Sequence, residues 1–397
     1  MPQHSSPLHA PLTAFAQSSP QTCACASVMD SDSLIAEVAA GSDHLGQACT
    51  GSSVFDVASL TKILCTTTLT AIAIARGAID LDGTVAHLLP AFKGPGKEHT
   101  TIRELLGHRS GLPAWKPFFA DAMPNPATAS AEDFTRSRAA VMDTVLATPL
   151  LLAPGTRAYS DAGFIVLAAL LEVVFDQRLD AAARTHIFEP CGLQHTRFHP
   201  LPYRPGGQPE ANNAQPGANK AHLIPTGGQR PRPPAAGQEG LYPAPQDAFE
   251  ADPGVVDDDN AYALGGVSGH AGLFSTASDV ARWGQCILQE LQGANRLGIG
   301  EILQALIQPD PSNAGYNRAL GFDLPAQQGS SVGGWFGQGG PKGAIGHLAF
   351  TGCSLWLDLD RNLSAALLTN RVFPKRGNLA AIQTLRPAFH DAIGSCG

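Results

Sequence analysis

A chain of 397 residues, 44% of them hydrophobic and 15% charged, is long enough for one large domain or two smaller ones around a sizeable core. Its net charge of −8, with no Lys/Arg block, excludes a nucleic-acid partner, because nothing is arranged to neutralise phosphates. The 42 glycines and 31 prolines require many turns and at least one irregular segment.

Residues 1–20 read as an N-terminal extension. No Lys or Arg precedes their weakly apolar part and no continuous apolar region follows, so they do not read as a signal peptide. A cytoplasmic location is the resulting expectation. "TCACASVM" (22–29) and "SLIAEVAA" (33–40), separated by Asp30-Ser31-Asp32, predict a β-hairpin with Cys23 and Cys25 on one face. The cysteines form no paired C-x-x-C ligands, so neither a zinc site nor any cofactor is expected. An extended piece, "SVFDVA", leads into Ser59, and the apolar positions from there to about Ala75 predict a helix ended by Gly77.

The region from about 81 to 319 reads as a mainly helical subdomain. Thr101-Ile-Arg-Glu104 is a capping box opening "IRELLGH". Pro154-Gly155 marks a turn before the buried helix "AGFIVLAALLEVVF". Its apolar run, Phe164 to Phe175, contains Glu172 and is too short to span a bilayer, so no membrane span is expected. Thr276 with Asp279 caps "ASDVARWGQCILQEL". Eleven prolines between Pro202 and Pro253 mark an insert over 201–254, either a lid over a site or a disordered excursion. "AIGHLAFTG", "SLWLDL" and "LSAALLTNRV" predict three strands, and 378–393 a closing helix. Strands at both chain ends with helices between them predict an α+β fold. Its layer is drawn from about 21–80 and 320–397, and the helical subdomain is inserted into it.

The stretch "DVASLTKI" places Ser59 three residues before Lys62. Residues i and i+3 share a helix face, so hydroxyl and amine can meet. A serine needs a base to take its proton, and a helix start supplies free N–H groups to an oxyanion. Lys62 would need burial among polar partners to lose its own proton near neutral pH. By itself the pair reads most economically as a capped helix start. "YSDAGF" (Tyr159-Ser160-Asp161) stands about a hundred residues on, and "GHLAFTG" places His347 at the head of a strand.

These three sites, in this order, resemble those of the serine β-lactamase and penicillin-binding protein superfamily. The nearest likeness is its branch of class C-like β-lactamases, D-alanyl-D-alanine carboxypeptidases and serine esterases. Supporting segments are "TTIRELLGHRSGLPAW", "PGTRAYSDAGF" and "GGVSGHAGLFSTASDVARW". The resemblance implies a β-lactamase/transpeptidase-like fold, an antiparallel sheet from both chain ends flanked by helices, over residues 21–397. It implies Ser59 as the acylated nucleophile and Lys62 as its proton acceptor or electrostatic partner. Tyr159 would shuttle protons to and from the leaving group and the deacylating water. His347 matches the position that is lysine or histidine in the third motif. The backbone N–H groups of Ser59 and Phe350 would form the oxyanion hole.

Two departures bear on this. Asp161 stands where much of the family has asparagine; ionised, it only accepts hydrogen bonds and would hold Lys62 protonated. Ala349 and Leu348 stand where glycine and threonine are usual, so an added methyl is expected beside the cleft and a hydroxyl is lost. Both argue against efficient β-lactam hydrolysis and, more weakly, against D-alanyl-D-alanine carboxypeptidase activity.

Alternative readings attach to the same residues. Asp161 can cap the following helix. His108, His270 and His347 invite a metal reading but lack ligand spacing, and His270 reads as a cleft wall. "GGWFGQGGPKG" lacks a phosphate-loop pattern. The expectation is a serine hydrolase cleaving a small ester, amide or peptidoglycan fragment through a Ser59 acyl-enzyme. D-alanyl-D-alanine carboxypeptidase or β-lactamase activity is the enzymatic alternative. An inactive binding or scaffold protein of the same fold is the other.

Overall fold

The computed structural model describes residues 7–31, 33–125, 128–202, 222–226, 251–309, 318–337, 342–374, 376 and 378–395. A first helix, α1 (His9–Ala16), precedes the hairpin β1 (Cys23–Asp30) and β2 (Ser33–Gly41). β3 (Phe55–Asp56) runs into the long helix α2 (Ala58–Ala75). Then follow α3 (Ile102–Leu106), α4 (Ala131–Ala147), α5 (Asp161–Phe175), β4 (Arg197–Phe198) and α6 (Asp259–Ala263). β5 (Leu273–Ser275), α7 (Ala277–Leu291), α8 (Gly300–Leu306), β6 (Ala344–Leu348), β7 (Ser354–Asp358), β8 (Leu363–Thr369) and α9 (Leu379–Ile393) come after these, and short helical segments at Val85–Leu88, Lys97–His99, Leu179–Ala183 and Arg184–Phe188 lie between the named elements.

The main sheet is antiparallel with strand order β2-β1-β8-β7-β6, so both chain ends build it, as an α+β reading requires. Its central strands are covered on both faces, and their side chains alternate between two cores. Cys23, Cys25 and Met29 of β1 join Leu355, Leu357, Ala366 and Leu368 on one side. Ala24, Ala26 and Val28 join Trp356, Ala365 and Leu367 on the other.

Helix placement differs from the sequence expectation in two respects. Within the N-terminal extension, Leu8, Leu12 and Phe15 of the α1 region are buried beside α9 on the second face. The i, i+3/i+4 spacing of these three gave one apolar stripe, too short to read as an element alone. On the first face α7 packs against β1 and β8, so this helix belongs to the layer. The close approach uses Gly284, where a Cβ would sit 2.1 Å from Ser364 Oγ. A second small sheet, β3-β5-β4, was not anticipated; strands of two or three residues leave no readable alternation.

α2 is the one described helix long and apolar enough to cross a membrane, and 83% of it is buried inside the fold, as a core helix is. It begins as a 3₁₀ turn at Ala58–Leu60 and widens into a π-helix over Lys62–Thr67 before becoming α-helical. α3 carries the predicted capping box, with Thr101 accepting from the Glu104 N–H and the Glu104 carboxylate accepting from the Thr101 N–H at 2.9 Å. Replacing Thr101 with alanine is expected to destabilise the fold by about 1 kcal/mol, read as a lower denaturant midpoint at unchanged slope.

Most of the proline-rich insert lies outside the described residues. Its segment 222–226 is tied to the strand entering the motif. Val54 N–H donates to the His222 carbonyl at 2.9 Å, and His222 bonds Asp43 at 2.9 Å and Ser53 at 3.0 Å.

Candidate active site

Ser59 sits in the tight turn where β3 becomes α2. The preceding Ala58 has φ +44°, a left-handed conformation uncommon for a residue with a side chain. Its N–H donates to Asp56 Oδ1 at 2.8 Å. The 3₁₀ start keeps Ser59 and Lys62 on one face, and Lys62 Nζ reaches Ser59 Oγ at 3.1 Å.

Lys62 is fully buried; it donates to Ser59 Oγ and to the His270 carbonyl at 3.1 Å and pairs with Asp161 Oδ1 at 2.8 Å. Burial pulls the amine's pKa down, but the Asp161 charge, with a further contribution from Tyr159, outweighs it and holds the pKa above its ordinary value. Lys62 is therefore an ammonium in the resting site.

Asp161 reaches Lys62 because it is not the cap of α5. Ser160 is: its Oγ accepts from Gly163 N–H at 3.1 Å and donates to the Pro113 carbonyl at 2.7 Å. The capping reading of Asp161 is thus corrected by one residue, and its carboxylate is left for the amine.

Tyr159 packs against Lys62, and both Lys62 and Ser59 act to lower its phenol. Burial raises its phenol above the ordinary value; Lys62 opposes this and Asp161 adds to it. Its ring lies 4.6 Å from His108 and 6.0 Å from His347, and Lys62 Nζ lies 4.9 Å from the ring centroid. His108 accepts from Ser160 N–H at Nδ1, 2.9 Å, which fixes the residue after Tyr159. Burial, reinforced by Arg318 and Lys62, holds His108 well below its usual range and therefore neutral.

His347 is buried on β6 with Nδ1 2.7 Å from the Leu348 carbonyl. Burial lowers it to about 4, so it meets the site as a neutral ring. His270 is a wall residue whose carbonyl, not its ring, faces the chemistry. The ring is held by Asp258 at 2.8 Å and Ser268 at 2.9 Å. Among the described residues no group of three or more His, Cys, Asp or Glu is placed to hold a metal ion.

Phe350 follows β6, with its side chain 43% exposed and its carbonyl bonded by Arg371. The next residue, Thr351, donates its hydroxyl to the Asp56 carbonyl at 3.0 Å, so this turn is tied to the Ser59 turn. Ala349 is 7% exposed and packs in the same apolar cluster as Ala58 and Leu60, which flank Ser59.

Two contributors escaped sequence reading. Arg318 stacks 4.7 Å over Tyr159 and pairs with Asp323 at 2.8 Å, and no pattern around it signals this. Asp56 lies in the quoted motif itself. An Asp two residues before a turn N–H is an Asx-turn signal that could have exposed it.

Known proteins resemble this chain over most of its length. The profile of the family described as Beta-lactamase matches residues 21–387. A Bacillus subtilis (strain 168) N-acetylmuramyl-L-alanine amidase is 29% identical over 328 residues, covering 80% of this chain and 68% of that protein. A Salmonella typhi protein provisionally named D-alanyl-D-alanine carboxypeptidase is 29% identical over 331 residues, covering 81% and 70%. The crystal structure of a penicillin-binding protein homologue from Caulobacter crescentus superposes with a TM-score of 0.62 at 16% identity, covering 96% of this chain and 97% of that one. With the profile matched along nearly the whole chain and the fold shared, this protein belongs to the Beta-lactamase family.

Proposed function

We propose that this protein is a serine hydrolase cleaving a small amide of the peptidoglycan-fragment class through an acyl-enzyme on Ser59. The observation that carries this is the bonding of Ser59 Oγ to a buried ammonium that also pairs with Asp161 and lies 4.9 Å from the Tyr159 ring centroid. Two relatives bear the names of an amidase and a carboxypeptidase, both of which cleave amides, and this favours amide over ester.

Because Lys62 donates to Ser59 Oγ, the serine's own proton is directed elsewhere, and Tyr159, whose phenol Ser59 acts to lower, is the group we assign to receive it. In the reactive form a Tyr159 phenolate, stabilised by the Lys62 ammonium, takes the Ser59 proton as Oγ attacks the carbonyl carbon. The resulting phenol returns the proton to the departing nitrogen as the C–N bond breaks. Water then repeats the sequence, and its proton is delivered to Ser59 Oγ as the acyl group leaves. A pure binding scaffold has no need of this assembly, since Lys62 and Asp161 are costly to bury without chemistry to perform.

A substrate panel tests the reading: N-acetylmuramyl-L-alanine, a D-Ala-D-Ala peptide, a p-nitrophenyl ester and a β-lactam. Alanine release from one of the amides, with kcat/KM exceeding that for the β-lactam, is expected. Turnover of the ester or β-lactam with both amides untouched would sink the amide assignment.

A further inference from the structure

We propose that Asp56 is a positioning residue for the acylation of Ser59, its carboxylate holding the strained Ala58 turn and coupling it to two other walls of the site. The proposal rests on the serine-hydrolase reading above.

Asp56 is fully buried and lies three residues before Ser59. One carboxylate oxygen accepts the Ala58 N–H at 2.8 Å, and the other accepts the Asp257 N–H at 2.7 Å. Ala58 pays for its left-handed conformation with side-chain strain, and such a conformation persists only where surrounding bonds over-determine it. The Asp56 bond is the one made directly to that residue's N–H. The second bond reaches the loop whose next residue, Asp258, pairs with His270, and the His270 carbonyl orients Lys62. The backbone carbonyl of Asp56 accepts from Thr351, beside Phe350. One buried residue thus joins the nucleophile turn, the wall that aims Lys62 and the turn that carries the implied oxyanion donor.

Holding both N–H groups requires two acceptor oxygens. A protonated carboxyl keeps one acceptor, and its hydroxyl opposes the other N–H. The charged and titratable groups facing Asp56 are Asp257 and Asp258 on the loop before α6, Arg376 bonded to Asp257, and Cys353 with Sγ 3.7 Å from the Asp56 carbonyl. Burial, with the Asp257 and Asp258 charges adding to it and the two N–H bonds opposing, raises the carboxyl to about 7. The sign follows: the geometry is complete above that pH and is lost as pH falls through it.

The test is the rate of Ser59 acylation by a fluorophosphonate between pH 5.5 and 9, followed by intact mass. The wild type is expected to slow as pH drops through about 7. Asp56→Asn, which keeps one acceptor oxygen, is expected to acylate about 10- to 100-fold more slowly at pH 8.5 and to lack the acid limb. A merely structural role would not move that limb. An unchanged acid limb in Asp56→Asn, or a rate equal to wild type at pH 8.5, overturns the proposal while leaving Ser59 as nucleophile. No acylation of the wild type refutes both readings. If Asp56→Asn does not fold, Ala58→Gly decides: glycine takes this φ without strain, so its acid limb should be shallower, and a limb identical to wild type overturns the proposal.

Discussion

Ser59→Ala is expected to lower kcat by about 10⁴-fold or more on every substrate the wild type turns over, with folding unchanged. The side chain is only half-buried, and its loss removes one bond, to Lys62. Alanine suits the 3₁₀ start of α2 and leaves Lys62 with Asp161 and the His270 carbonyl. Stability is therefore nearly untouched while the hydroxyl bonded by Lys62 disappears. Steady-state kinetics together with a denaturation curve checks both halves. A residual rate within tenfold of wild type would assign the chemistry to another group.

Lys62→Met should damage activity and stability together. Rates are expected to fall by about 10²- to 10⁴-fold, the range for removing a proton-transfer partner. Methionine fills much of the buried space but leaves the Asp161 carboxylate and the His270 carbonyl without their donor. Breaking a buried pair costs about 3–5 kcal/mol, and the lower end applies because Asp161 keeps 16% exposure. The pH dependence has a definite sign. Lys62 is held above its ordinary value, so its contribution is fully present below the unfolded pKa and fades only as pH rises through the folded one. The stability gap between wild type and Lys62→Met is therefore undiminished at pH 7. Asp161→Asn is the informative partner. The Asp161 charge raises both Lys62 and Tyr159, so its removal should move the rising alkaline limb of acylation to lower pH. Stopped-flow acylation across pH 6–10 measures this, and a limb that stays put would show that neither group's proton is transferred.

The parts of this site written in local pattern could be read from the sequence. Ser59 and Lys62 were legible because i and i+3 share a face in any helical winding, 3₁₀ included. The hairpin, the three C-terminal strands and the closing helix were legible from alternation and turn residues. Their assembly into one sheet followed from strands lying at both chain ends. The consequence of Asp161 was also legible, since a carboxylate beside a buried amine must hold its proton.

What stayed hidden depended on tertiary placement. The burial of Ala349 in the apolar cluster beside the Ser59 turn was set by the turn after β6. Arg318 lies far from Tyr159 in sequence and meets it only because Asp323 pairs with Gly346 at the edge of β6. The π-winding of α2 and the docking of α1 are likewise decided by packing, against which local propensity is a weak guide.

The central claim is that Ser59, presented by a strained turn and bonded to a buried ammonium, becomes covalently acylated. Peptide mapping of the folded protein after fluorophosphonate treatment tests it most directly. The account predicts a single adduct on the peptide containing Ser59, slowed in Lys62→Met and absent in Ser59→Ala. An adduct on a different residue, such as Ser160, or no adduct at all, would contradict it.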